Sequence, residues 1–172
     1  MTRSELAHKI YAVSHLAGSF RLRSGATSSE YFDKYRFESD PNILRAVAEA
    51  LLPLMPSSFD ALAGLEMGGI PIATMLSQMT GRPALFIRKK AKPYGTCRFA
   101  EGGEVVNRRL LLIEDVVTSG GAVLEAVRAL RADGAIIADV CCVIDREAGG
   151  ADNLARENLT LKSLFKSADL KK

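Results

Sequence analysis

The chain has 172 residues, 48% hydrophobic and 25% charged, with a net charge of +3 at neutral pH. That length suits a single domain, residues 1–172, and the balance suits a soluble globular protein. No run of about 18 uncharged apolar residues exists, so no membrane span is expected. A mild positive charge fits a small anionic ligand and does not call for nucleic acid.

The first six residues are charged, with Thr2 and Glu5 at capping-box spacing, and read as a helix start rather than a signal peptide. Periodicity predicts that helix to about Ser14, then a Ser- and Gly-rich, hairpin-like region over residues 20–33. Asp40 before Pro41 is an N-cap with proline at the first helical position, opening a helix through Leu51. Strands and helices then alternate: strand 61–64, helix 70–78, strand 84–88, a long loop 89–107, and strand 109–113. Helix 122–133 follows, closed by Gly134, then strand 136–144, a loop at Arg146, helix 151–158 and strand 159–164. This order predicts an α/β fold: a mostly parallel sheet flanked by helices, with a small N-terminal subregion. Ligands of such sheets bind outside the carboxyl ends of the strands.

Cys97, Cys141 and Cys142 are odd in number, and the last two are adjacent in an apolar strand. Strand neighbours face opposite ways, so reduced, buried thiols and a cytoplasmic protein are expected. No C-x-x-C occurs, and the two histidines, His8 and His15, belong to the first helix and its exit. Metal-ligand spacing is absent.

The most informative stretch follows the strand at Leu110, Leu111, Leu112 and Ile113. Two acids, Glu114 and Asp115, stand at its carboxyl end. Val116, Val117, Thr118, Ser119, Gly120, Gly121 and Ala122 then lead into an amphipathic helix. A helix N-terminus offers unpaired N–H groups and partial positive charge to a phosphate. The acids can hold sugar hydroxyls or the waters of a magnesium ion, so the combination suits a ribose 5-phosphate. Asp115, at the strand's exposed end, is expected to accept asparagine with little effect on folding. No Gly-Lys dipeptide exists for a Walker A loop, and no G-x-G-x-x-G follows a strand.

Two further loops fit an anion. Gly68 and Gly69 after the strand at 61–64 form either a second anion site, placed for a diphosphate, or a structural turn. Arg88, Lys89, Lys90 and Lys92 lie in a loop long enough to be a lid. Such a lid could close over a polyphosphate and exclude water.

The run from Glu114 to Ala122 resembles the diphosphate-activated ribose signature of the type I phosphoribosyltransferases. The resemblance implies 5-phosphoribosyl 1-diphosphate as substrate and magnesium (Mg2+) as cofactor. It implies that Glu114 and Asp115 lie by the ribose diol, while Val116, Val117, Thr118, Ser119, Gly120, Gly121 and Ala122 wrap the 5-phosphate. Within that family, Arg88-Lys89-x-Ala91-Lys92-x-Tyr94-Gly95 is similar to the flexible loop of the orotate phosphoribosyltransferases. Residues 20–25, 31–37 and 145–150 also resemble that branch, so the likeness runs from about Phe20 to Gly150. It implies transfer of ribose 5-phosphate to orotate, with Lys92 and Asp115 catalytic. It implies a homodimer in which Arg88, Lys92 and Tyr94 reach the partner's site and Lys89 serves its own. Arg146 and Thr118 would contact orotate.

Arg146 has a chemical rationale of its own, because a guanidinium makes two parallel hydrogen bonds to a carboxylate. A capping or surface arginine is the other reading. A neutral purine offers Arg146 no carboxylate, and retained lid lysines favour an enzyme over a sensor of the ribosyl diphosphate. Three positions depart from the orotate pattern: Gly68 and Arg23 stand where lysine is frequent, and Tyr94 where histidine is. Tyr94 can donate a hydrogen bond but is a poor acid at neutral pH.

Overall fold

The computed structural model describes residues 1–21, 25–95 and 97–170, so the expectation for Arg23 lies outside the described residues. Helix α1 (Arg3–Ser14) starts on the expected capping box: the Glu5 N–H donates to Thr2 Oγ1 at 3.2 Å and the Thr2 N–H to Glu5 Oε2 at 2.7 Å. Strand β1 (His15–Arg21) leaves α1 without a linker and pairs antiparallel with β2 (Thr27–Phe32). This hairpin is the small N-terminal subregion. Helix α2 (Tyr35–Ser39) is too short to show a periodic pattern and was not predicted. Asp40 caps α3 (Pro41–Leu51), accepting from the Asn42 and Ile43 N–H groups at 2.9 and 3.1 Å.

The central sheet holds β3 (Ala61–Leu65), β4 (Ala84–Ile87), β5 (Ala100–Glu101), β6 (Leu110–Val117), β7 (Asp139–Asp145) and β8 (Thr160–Lys166). Their spatial order is β5-β4-β3-β6-β7-β8, and β5 alone is antiparallel to its neighbour. Helices α4 (Gly69–Thr80), α5 (Gly121–Ala132) and α6 (Gly150–Ala155) connect the parallel strands.

Two boundaries bear on the site. The two-residue β5 lies inside the predicted long loop, where it pins the lid's far end to β4. Strand β6 runs beyond Ile113 to Val117, because β7 pairs beside it as far as Val117 opposite Asp145. Glu114 and Asp115 are therefore strand residues, and Val116 and Val117 belong to the sheet rather than to a loop.

Strand alternation sorts the core into two layers. Leu111, Ile113 and Cys141 face one layer with α1, α3 and α4; Leu110, Leu112 and Cys142 face the other with α5. The adjacent cysteines are both free and fully buried, on opposite faces as expected. Among the described residues, no helix is long and apolar enough to cross a membrane.

Candidate active site

Sequence order puts every chemically loaded turn at one end of the sheet. After β6, Thr118 and Ser119 are exposed, and Gly120 adopts φ +80°, the left-handed geometry that swings the chain into α5. The first α-helical bond of α5 runs from Leu124 N–H to the Gly120 carbonyl at 2.9 Å. The N–H groups ahead of it have no partner within the helix. The turn is held from behind, where Asn153 Nδ2 donates to the Ser119 carbonyl at 2.9 Å and the Arg146 N–H to the Val117 carbonyl at 2.8 Å. Glu114, Glu125 and the eight residues from Val116 to Val123 line a cavity of about 440 Å3. That is a phosphate cradle: hydroxyls and helix N–H groups, with two acidic side chains, Glu114 and Glu125, at its side.

The acids of β6 face opposite ways. Glu114 opens on the cradle, whereas Asp115 is completely buried. This corrects the expectation of an exposed Asp115. Its Oδ2 lies 2.6 Å from Lys34 Nζ, in front of α2, and its Oδ1 accepts the Val116 N–H at 2.5 Å. Glu38 of α2 and the backbone of Gly68 close the same space. A Cβ on Gly68 would fall 1.7 Å from Asp115 Oδ2 and 2.7 Å from Glu38 Oε1, so only glycine fits. The sequence marked Lys34 only as part of the 31–37 resemblance and Glu38 not at all, because nothing local reveals a contact with Asp115, so far along the chain.

Four ionisable groups, Lys34, Glu38, Glu114 and Asp115, therefore act on one another's charge. Burial pushes Glu38 up to about 9, helped by its hydrogen bond to Asp115 and by that residue's charge. Burial also raises Glu114 well above the carboxylate range, again with Asp115 adding to it. Burial would raise Asp115 as well, but its hydrogen bond with Glu114 and the charge of Lys34 outweigh it and hold Asp115 low. Burial disfavours the Lys34 ammonium, and Asp115 outweighs that too, so Lys34 is held above its ordinary value. At neutral pH Lys34 and Asp115 form an ion pair, and the neighbouring Glu38 keeps its proton.

A stability prediction follows from Glu38. Between the ordinary value of 4.5 and about 9, the unfolded chain has lost this proton and the folded chain keeps it. Stability should fall as pH rises through that window. Glu38→Gln keeps a hydrogen-bonding group and removes the titration, so its melting temperature should fall less between pH 6 and 9 than that of the wild type. Parallel wild-type and variant melting profiles would show that Glu38 is ionised in the fold.

The lid divides into two parts. Arg88, Lys89 and Lys90 line a cavity of about 630 Å3 with Glu66, Glu114 and Ala122 of the same chain. The Lys89 N–H donates to a Glu66 carboxylate oxygen, tying the lid's base to the β3–α4 loop. Arg88 thus stands by its own chain's Glu114. Lys92 is held elsewhere, 2.7 Å from Glu101 of β5, and the Tyr94 ring is exposed beside it.

Arg146 sits at a third cavity, of about 390 Å3, with Tyr11, His15, Tyr31 and Phe32 among its walls. Its guanidinium lies 5.1 Å over the Phe32 ring. The Arg146 side chain is exposed, while its N–H is tied to the Val117 carbonyl. Phe32 and Tyr31 were seen in the sequence only as part of a motif; the hairpin turns them into the walls of a flat, partly aromatic slot.

A parallel sheet with a hydroxyl-glycine cradle after β6 and a basic loop after β4 defines a phosphoribosyltransferase, and the family model for the phosphoribosyl transferase domain matches residues 36–157. The orotate phosphoribosyltransferase of a Nocardioides species is 54% identical over 165 residues, covering 96% of this chain and 92% of that protein. The Mycobacterium tuberculosis orotate phosphoribosyltransferase, solved with Fe(III) dicitrate, superposes with TM-score 0.88 at 32% identity, covering 99% of both chains. The same enzyme solved with 5-phospho-α-D-ribosyl 1-diphosphate gives TM-score 0.83 at 29% identity, again over 99% of both. The chain belongs to the orotate phosphoribosyltransferase family.

Proposed function

We propose that this protein transfers ribose 5-phosphate from 5-phosphoribosyl 1-diphosphate to orotate, giving orotidine 5-phosphate and pyrophosphate, a step of pyrimidine nucleotide synthesis. The observation that carries this reading is the Thr118–Gly120 cradle, with Glu114 beside it, at the same end of the sheet as the Arg146–Phe32 slot. In the reaction, orotate N1 gives its proton to the leaving diphosphate or to solvent and bonds to ribose C1 as the C1–O bond to the diphosphate breaks. Positive charge develops on the ribose ring and negative charge on the leaving group. The cradle would hold the 5-phosphate, Arg146 the orotate carboxylate, and Phe32 one face of the pyrimidine. Arg88, Lys89 and Lys92 would neutralise the leaving diphosphate, which requires Lys92 to exchange Glu101 for phosphate oxygens.

Magnesium belongs to the same proposal. Among the described residues no cluster of three or more His, Cys, Asp or Glu could hold a metal ion. That donor set fits an ion that keeps its waters and arrives on the substrate's phosphates, with Glu114 as the carboxylate within reach. Bound so, magnesium would offset charge on the diphosphate. A homodimer is supported by Lys92 and Tyr94, which stand on the lid loop away from Glu114, Lys92 paired with Glu101 and the Tyr94 ring exposed. Three free cysteines support a reducing, cytoplasmic setting.

Loss of orotate absorbance tests the reading. It should require both the ribosyl diphosphate and magnesium, with adenine, hypoxanthine and uracil far poorer acceptors. Equal or better turnover of a purine would reject orotate as acceptor and leave the family intact.

A further inference from the structure

The β3–α4 loop lies at the amino end of a twelve-residue helix but carries no basic side chain: Glu66, Met67, Gly68, Gly69 and Ile70 offer a diphosphate only backbone. A cation arrives there from a different part of the chain. Lys34 Nζ is 2.6 Å from Asp115 Oδ2, the oxygen that Gly68 packs against most tightly. The ammonium therefore borders the loop's backbone. Lys34 is the outer member of the pair: its side chain is 33% exposed and that of Asp115 0%. The salt bridge occupies one of three N–H donors on an ammonium group, and a four-carbon stem leaves the others free to turn. The segment from Phe32 to Lys34 also joins the Arg146 slot to this loop.

We propose that Lys34 is a diphosphate-binding residue, tethered by Asp115 and donating to the phosphate oxygens that lie along the β3–α4 loop. This rests on the site being one for the ribosyl diphosphate. Asp115 fixes the ammonium by a short contact and is itself kept from being a lone buried charge. Glu38 packs behind both and adds no second negative charge at neutral pH. The loop can then remain glycine-lined and close-packed, because its cation is supplied from α2.

Equilibrium titration with magnesium present separates this role from a purely structural one, using three ligands: 5-phosphoribosyl 1-diphosphate, inorganic pyrophosphate and ribose 5-phosphate. Lys34→Met should weaken the first two by about ten- to a hundredfold, the effect of losing a charge-assisted hydrogen bond, and ribose 5-phosphate far less. Lys34→Arg should retain part of the loss. If Lys34 only orients Asp115, the two ribose ligands weaken alike and pyrophosphate is unaffected; that result overturns the proposal. Should Lys34→Met fail to fold, Asp115→Asn removes the unpaired buried charge, and Lys34→Met is compared with Lys34 in that background for pyrophosphate alone. Unchanged pyrophosphate affinity there also overturns it. A wild-type protein that binds none of the three ligands rejects the reading of the site itself, whereas normal wild-type binding with an unaffected Lys34 variant rejects only Lys34.

Discussion

Lys92→Ala and Glu114→Ala proteins should each be nearly inactive, yet recover about a quarter of wild-type activity when unfolded together and refolded in equal amounts. Glu114 faces the cradle, while Lys92 is drawn off to Glu101 of β5. In an isologous dimer whose lids cross the two-fold axis, each site combines one chain's Glu114 with the other's Lys92. Random reassembly makes about half of the dimers hybrids, and each hybrid has one site with both defects and one with neither. A mixture as inactive as its parents, with subunit exchange confirmed by mass spectrometry, would mean that the lid serves its own chain.

Arg146→Ala should raise the Michaelis constant for orotate by roughly thirty- to a hundredfold and that for the ribosyl diphosphate much less. A charge-assisted bidentate contact is worth about 2–3 kcal/mol. Arg146 is exposed and rests on Phe32 at the mouth of its slot, so truncation should cost little stability. Arg146→Lys keeps the charge but loses the planar fork and should recover only part of the affinity. An unchanged orotate constant in Arg146→Ala would remove this residue from the acceptor site.

The sheet was readable because its central strands β3, β6 and β7 are buried on both faces and appear as largely apolar runs, and because Asp40–Pro41 and the Thr2–Glu5 box mark helix starts by local chemistry. The cradle was readable for the same reason: its residues are contiguous. What escaped depends on contacts between distant segments. β5 is two residues long and exists only through its pairing with β4. The end of β6 was misplaced because hydrogen bonds from β7, not local propensity, carry it through the acids. Asp115 was misread as exposed for a related reason. Strand alternation turns it away from Glu114, but only the approach of α2 and Gly68 seals it in.

That seal has a consequence for how this family can diverge. Any side chain at position 68 would occupy space already taken by the carboxylates of Asp115 and Glu38. A side chain there must therefore displace both acids, and a shorter residue at 38 would relieve one of the two. Gly68→Ala should thus be better tolerated beside Glu38→Ala than beside the native glutamate.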